Sequence, residues 1–144
     1  MKDPFLLQRF VEAQNSIYGN VVNELKRGGK RTCWMWFVFP QVVGLGRTAI
    51  AEKYSIKSLE EAKAYIAHPI LGARLQETTE LVVNIDGRTA NQIFGFPDDL
   101  KFRSSMTLFK HVAEDNKIFL DAIAKFYDGK EDDLTIKVLE SWQQ

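Results

Sequence analysis

Between positions 28 and 48 the chain reads Gly-Gly-Lys-Arg-Thr-Cys-Trp-Met-Trp-Phe-Val-Phe-Pro-Gln-Val-Val-Gly-Leu-Gly-Arg-Thr, which gathers two of its three tryptophans and four of its nine glycines into one stretch. These residue types suit recognition of an anion carried on a ring. Trp34 or Trp36 can stack on a planar group, while Lys30, Arg31 and Arg47 offer charge-assisted hydrogen bonds to anionic oxygens. Gly44-Leu45-Gly46 permits the positive φ angles at which backbone N–H groups converge on an anion. Arg47-Thr48 then opens a short helix over 48–54 whose positive end favours the same charge. Gln41 and Tyr54 are placed to orient a ligand. The pattern is neither a Walker A loop nor a dinucleotide-binding Gly-x-Gly-x-x-Gly.

Further candidates lie outside this stretch. Arg103 and Ser104 share a helical face with Leu100 and Thr107, a combination that fits close helix packing and a ligand wall equally well. Ser104 has no nucleophile-elbow context, because no Gly-x-Ser-x-Gly occurs. His68, before Pro69, reads first as a cap at a helix junction. It is also the one side chain suited to proton transfer near neutral pH, and so the sole catalytic candidate. Gln14 falls on the apolar stripe of the first helix, where bridging a helix break is favoured over facing a ligand.

The elements that position these residues read as helices throughout. Asp3-Pro4 signals a helix start, and apolar residues from Leu6 to Leu25 recur at three- and four-residue spacing, interrupted at Asn15-Ser16, which predicts helices over 4–14 and 16–27. Trp34 to Phe39 is apolar at every position and fits a buried helix or strand; Phe37 and Phe39 read as core, and Trp34 equally as core or pocket wall. Ser58-Leu59-Glu60-Glu61 is a capping box for a helix ending at Ala67, and Pro69 starts another reaching about Ile85. Thr89 caps a short helix to Phe94, Asp98-Asp99 opens the helix bearing Arg103, and Asn116 caps residues 117–127. Lys130-Glu131-Asp132-Asp133 reads as a solvated loop before a final helix whose Leu134, Val138 and Trp142 form a docking face.

The fold expected is therefore all-α, a single compact multihelical domain of about eight or nine helices spanning residues 1–144. At 144 residues with 45% hydrophobic content the chain can bury a core without disulfides. Nineteen basic residues balance nineteen acidic ones, so bulk charge gives no bias toward nucleic acid or anionic membrane. Neither a signal peptide nor a run of ~18 apolar residues is evident, which leads us to expect a cytoplasmic protein, with monomer as the default state. One cysteine, Cys33, and two histidines lack zinc-site spacing, so neither metal nor cofactor is expected.

Several blocks occur in a recognisable order: Lys30 through Gln41, Gly44-Leu45-Gly46-Arg47, Ala51 through Ile56, Ala64 through Leu75, and Asp99 through Phe109. In these the chain resembles the bacterial domain-of-unknown-function family 1810 from Arg9 to about Phe109. The resemblance implies a mainly α-helical fold and supplies no mechanism; the calpastatin label carried by some members is not taken as a function. That family has Ser-His before Trp-Met-Trp, where this chain has Thr32-Cys33, which argues against an essential histidine there. The layout is also reminiscent of the NADAR family, helical proteins associated with NAD and ADP-ribose chemistry, as an analogy of arrangement. The function expected is binding, with or without processing, of a small anionic, nucleotide-like ligand. The alternative is a non-catalytic protein-interaction module.

Overall fold

The computed structural model describes residues 2–143. Their ten helices are α1 (Gln8–Asn15), α2 (Tyr18–Lys26), α3 (Met35–Val38), α4 (Ala49–Lys53), α5 (Leu59–Ala67), α6 (Pro69–Val83), α7 (Ala90–Phe94), α8 (Asp98–Val112), α9 (Lys117–Tyr127) and α10 (Asp133–Trp142). The helix beyond the expected eight or nine is α3, where the Trp-rich run closes a single turn before Pro40 stops it. Among the described residues the extended structure is one parallel bridge, Val42 to Ile56, and no helix is long and apolar enough to cross a membrane.

Helix α8 is the axis of the core. Its Phe102, Met106, Leu108 and Phe109 are fully buried, and it packs against α3, α5, α7, α9 and α10. Phe102 meets Phe39 edge-on at 4.9 Å and stacks on Phe94 at 4.7 Å, while Phe109 reaches Tyr65 at 5.4 Å. Burying each such ring is worth roughly 1.5–3 kcal/mol, so the central aromatics dominate cohesion.

Two helix starts differ from expectation. Asp3 does cap, but one turn late: its carboxylate accepts from the N–H groups of Leu7 at 2.8 Å and Gln8 at 2.9 Å, and α1 begins at Gln8. Leu6, at φ 54°, interrupts the turn between them. At α5 only half the capping box forms. Ser58 Oγ accepts from Glu61 N at 3.0 Å, but the Glu61 carboxylate turns to Lys57 N at 2.9 Å and to Arg9 Nη2 at 2.8 Å. A buried carboxylate gains more from a guanidinium than from one more amide. Arg9 also donates to the carbonyls of Phe5, Leu6, Lys53 and Ser55, clamping the N-terminal turn onto the segment before α5. The complete capping box is at α7, where Thr89 and Gln92 exchange hydrogen bonds of 3.1 and 2.8 Å.

Gln14 faces the interior as a structural residue, but in place of bridging the helix break it ties α1 to α3, α5 and α6. Its Nε2 donates to Phe37 O at 2.7 Å and Tyr65 Oη at 3.2 Å, and its Oε1 accepts from Arg74. Asn116 instead spends its amide on Lys110 O, without capping α9 through its side chain. The expected solvated loop before α10 is pinned. Glu131 pairs with Lys110 and His111 in the last turn of α8, and Asp132 N donates to Thr107 Oγ1 at 3.0 Å. Docking of α10 uses Thr135, Val138, Leu139 and Trp142, which share a face at three- and four-residue spacing. Leu134 falls off that face and is 58% exposed.

Candidate functional site

The Trp-rich stretch divides at α3 into a closed half and an open half. The closed half is organised by Glu24, a buried acid of α2. Its Oε1 accepts from Arg31 N at 2.6 Å, Thr32 N at 3.0 Å and Trp34 Nε1 at 3.0 Å, and its Oε2 accepts from the Thr32 hydroxyl at 2.6 Å. Burial opposes ionisation, but the four donors outweigh it and hold the carboxyl well below its ordinary value, at about 2.

Three candidates are thereby reassigned. Trp34 is 1% exposed and belongs to the core, its indole N–H committed to Glu24. Lys30 lies over the Trp34 ring, with Nζ 5.3 Å from the centroid, and is paired with Asp98 at 2.8 Å. Arg31 contributes its backbone amide to Glu24 and leaves its side chain in solvent. These groups fold the loop.

Each helical residue turns the chain by about 100°, so two residues after Trp34 the next indole faces another way. Trp36 is half-buried and lines a cavity of about 420 Å³. Gln41, Gly46, Arg47, Arg103 and Ser104 line the same cavity. Six of the twelve candidate residues thus meet although the first and last lie on opposite sides of four intervening helices. The backbone of Gln41 is fixed by the bridge, its carbonyl accepting from Ile56 N at 2.8 Å. Among the described residues neither its side-chain amide nor the Trp36 N–H has a partner. Arg47 is exposed and has none either.

The cavity's electrostatics are cationic. Arg47, Lys101 and Arg103 stand against one carboxylate, Asp132. Lys101 Nζ sits 5.2 Å from the Trp36 ring centroid and 3.6 Å from Asp98. The Arg103 guanidinium lies 5.6 Å over the Tyr127 ring, with one Nη 3.9 Å from Asp132 Oδ1. Its buried Nε has no acceptor among the described residues. Tyr127 stays neutral well above the ordinary phenol range, because burial and the nearby Asp99 outweigh Arg103. The remaining wall is apolar: Leu45, Pro97, Leu100 and Leu134.

Other expectations are corrected. Gly44 takes φ +94° for a turn and does not line the cavity, and Gly46 lacks that positive φ. A Cβ on Gly46 would lie 2.5 Å from the Ala51 Cβ, so this glycine permits close approach to α4 in place of the expected amide nest. The start of α4 is capped by its own Thr48, whose Oγ1 accepts from Ala51 N at 3.2 Å. Tyr54 is buried behind the cavity floor, packed on Phe10 and Phe37 at 5.7 and 5.3 Å. His68 is the cap of α6: its Nδ1 accepts from Ile70 N at 3.1 Å and Leu71 N at 3.2 Å. It is not among the cavity's lining residues. Ser104 lines the cavity while its hydroxyl donates to Leu100 O at 3.1 Å.

Sequence reasoning missed Pro97, Lys101, Asp132, Leu134 and the loop-forming Glu24. For Lys101 a signal existed, its three-residue spacing from Ser104 on the same helix. Asp132 carried only the signature of a helix cap. No group of three or more His, Cys, Asp or Glu side chains able to hold a metal ion occurs among the described residues.

No protein with a curated description matches the chain. A solved structure does: the crystal structure of the conserved hypothetical protein Rv1873 from Mycobacterium tuberculosis is 53% identical and superposes with a TM-score of 0.95, covering 96% of this chain and 99% of that one. A family profile matches residues 4–139. The chain belongs to the family that this profile describes as a protein of unknown function, DUF1810.

Proposed function

We propose that the chain binds a small anionic, nucleotide-like ligand in the cavity between Trp36, the 41–48 loop and α8. The observation carrying this reading is the meeting of Trp36, Arg47, Lys101 and Arg103 around one concave space with a single opposing carboxylate. An aromatic face, cationic forks and apolar walls match a ring joined to phosphate oxygens, and the volume falls within the ~300–1,000 Å³ typical of small-molecule sites. The reading is of binding. The histidine suited to proton transfer is occupied as a helix cap elsewhere.

The test is a thermal-shift screen with ADP, ADP-ribose, NAD and inorganic phosphate on wild type and Arg47→Ala. Ligand at 100 times its Kd stabilises by ~2.7 kcal/mol, several degrees for a domain of this size. A shift with a nucleotide that is lost in Arg47→Ala supports the reading. No shift with any compound sinks it. The alternative, a protein-interaction module, is favoured by the exposed Phe96, Leu100 and Leu134, the last two on the cavity wall. It takes precedence if the screen is negative.

A further inference from the structure

Asp132 is the one feature of the cavity that a site for a bare anion would avoid. A carboxylate facing bound phosphate is repulsive unless it has a separate task. Capping α10 is one task, and it uses a single oxygen: Oδ2 accepts from Thr135 N at 2.9 Å and from the Thr135 hydroxyl at 2.7 Å. Oδ1 remains. Its nearest cation, Arg103 Nη2, is 3.9 Å away, beyond hydrogen-bond reach, so this oxygen has lone pairs available in a cavity whose other charged groups, Arg47, Lys101 and Arg103, are donors. The cap fixes its direction, because turning the carboxylate away would forfeit both bonds from Thr135.

A ligand that satisfies this wall must carry hydroxyl donors close to its anionic group. It must also present a ring to Trp36 and to the apolar side formed by Pro97, Leu100 and Leu134. Building on the proposed nucleotide-like binding, we infer that the cavity selects a ribonucleotide, with the vicinal ribose hydroxyls donating to Asp132 Oδ1 and the phosphate oxygens held by Arg47 and Arg103. Charge-assisted hydrogen bonds of this kind are lost outright when the donor hydroxyl is absent. Asp132 is then the residue that separates ribose from deoxyribose.

The experiment is calorimetric titration of wild type, Asp132→Asn and Asp132→Ser with ADP, 2′-deoxy-ADP and ribose 5-phosphate. Both variants keep a side chain able to cap α10, so folding is preserved. Wild type is expected to bind ADP about tenfold more tightly than the deoxy compound. Both variants should lose that preference, with deoxy-ADP binding unchanged or tighter as the repulsion is removed. Equal binding of the two nucleotides by wild type overturns the ribose assignment while leaving nucleotide binding intact. Equal weakening of both nucleotides in the variants also overturns it, reducing Asp132 to a support for Arg103. Ribose 5-phosphate binding as tightly as ADP replaces the ribonucleotide with a sugar phosphate. Failure of all three compounds to bind removes the inference together with the reading on which it rests.

Discussion

Trp34 and Trp36 are two residues apart and have opposite fates. Around Trp34 the buried polar groups are answered within the chain, by Glu24, Asp98 and the backbone. Around Trp36 cations outnumber acids, and the side-chain donors of Gln41 and Arg47 have no partner among the described residues. A saturated polar cluster adds stability and has nothing left to offer a ligand, whereas an unsaturated one sacrifices stability for binding capacity. The difference, more than the density of aromatic residues, separates the candidate site from the core.

The comparison breaks most visibly by truncating the two rings. Trp34→Ala should cost about 3–5 kcal/mol in urea unfolding, from a lost core side chain and an unsatisfied Glu24, and Trp36→Ala only about 1–2 kcal/mol. Equal costs would erase the distinction between the two halves. The next effect is acid-dependent. Glu24 titrates at about 2 when folded against 4.5 as its ordinary value, so its contribution is fully present above 4.5 and is lost as pH falls toward 2. That interval corresponds to about 3 kcal/mol. In urea melts between pH 6 and pH 2 the stability gap between wild type and Glu24→Gln should therefore narrow, and a constant gap would show that the carboxylate is not specially stabilised. The smallest effect sharpens the other half: Arg47→Ala should leave unfolding free energy within ~0.5 kcal/mol of wild type, since its side chain holds nothing in the fold. A larger loss would give Arg47 a structural role and weaken its assignment to a ligand.

Most of the fold was legible from the sequence because helix signals are local. Caps at Thr48, Ser58 and Thr89, proline at position 69 and the three- and four-residue apolar spacing of α9 each act within a turn or two. The site was legible by half. Trp36, Gln41, Gly46 and Arg47 are neighbours in the chain, and Arg103-Ser104 declared itself by helical spacing. Trp34 and Lys30 misled because their partners, Glu24 and Asp98, are acids that look solvent-facing in sequence. Asp132 escaped notice because the oxygen not used in capping acquires meaning only from Arg103, on another helix.

The Arg9 clamp bears on how the molecule is made. Its carboxylate partner, Glu61, lies 52 residues further along the chain. During synthesis at ~5–20 residues per second that partner arrives roughly 3–10 s after the arginine, so the first turn must wait unanchored for that interval. The cavity waits longer still, because its wall closes only when Asp132 and Leu134 emerge, roughly 30 residues after Arg103. A chain lacking those residues would hold Trp36, Gln41 and Arg47 with one side of the cavity wall missing.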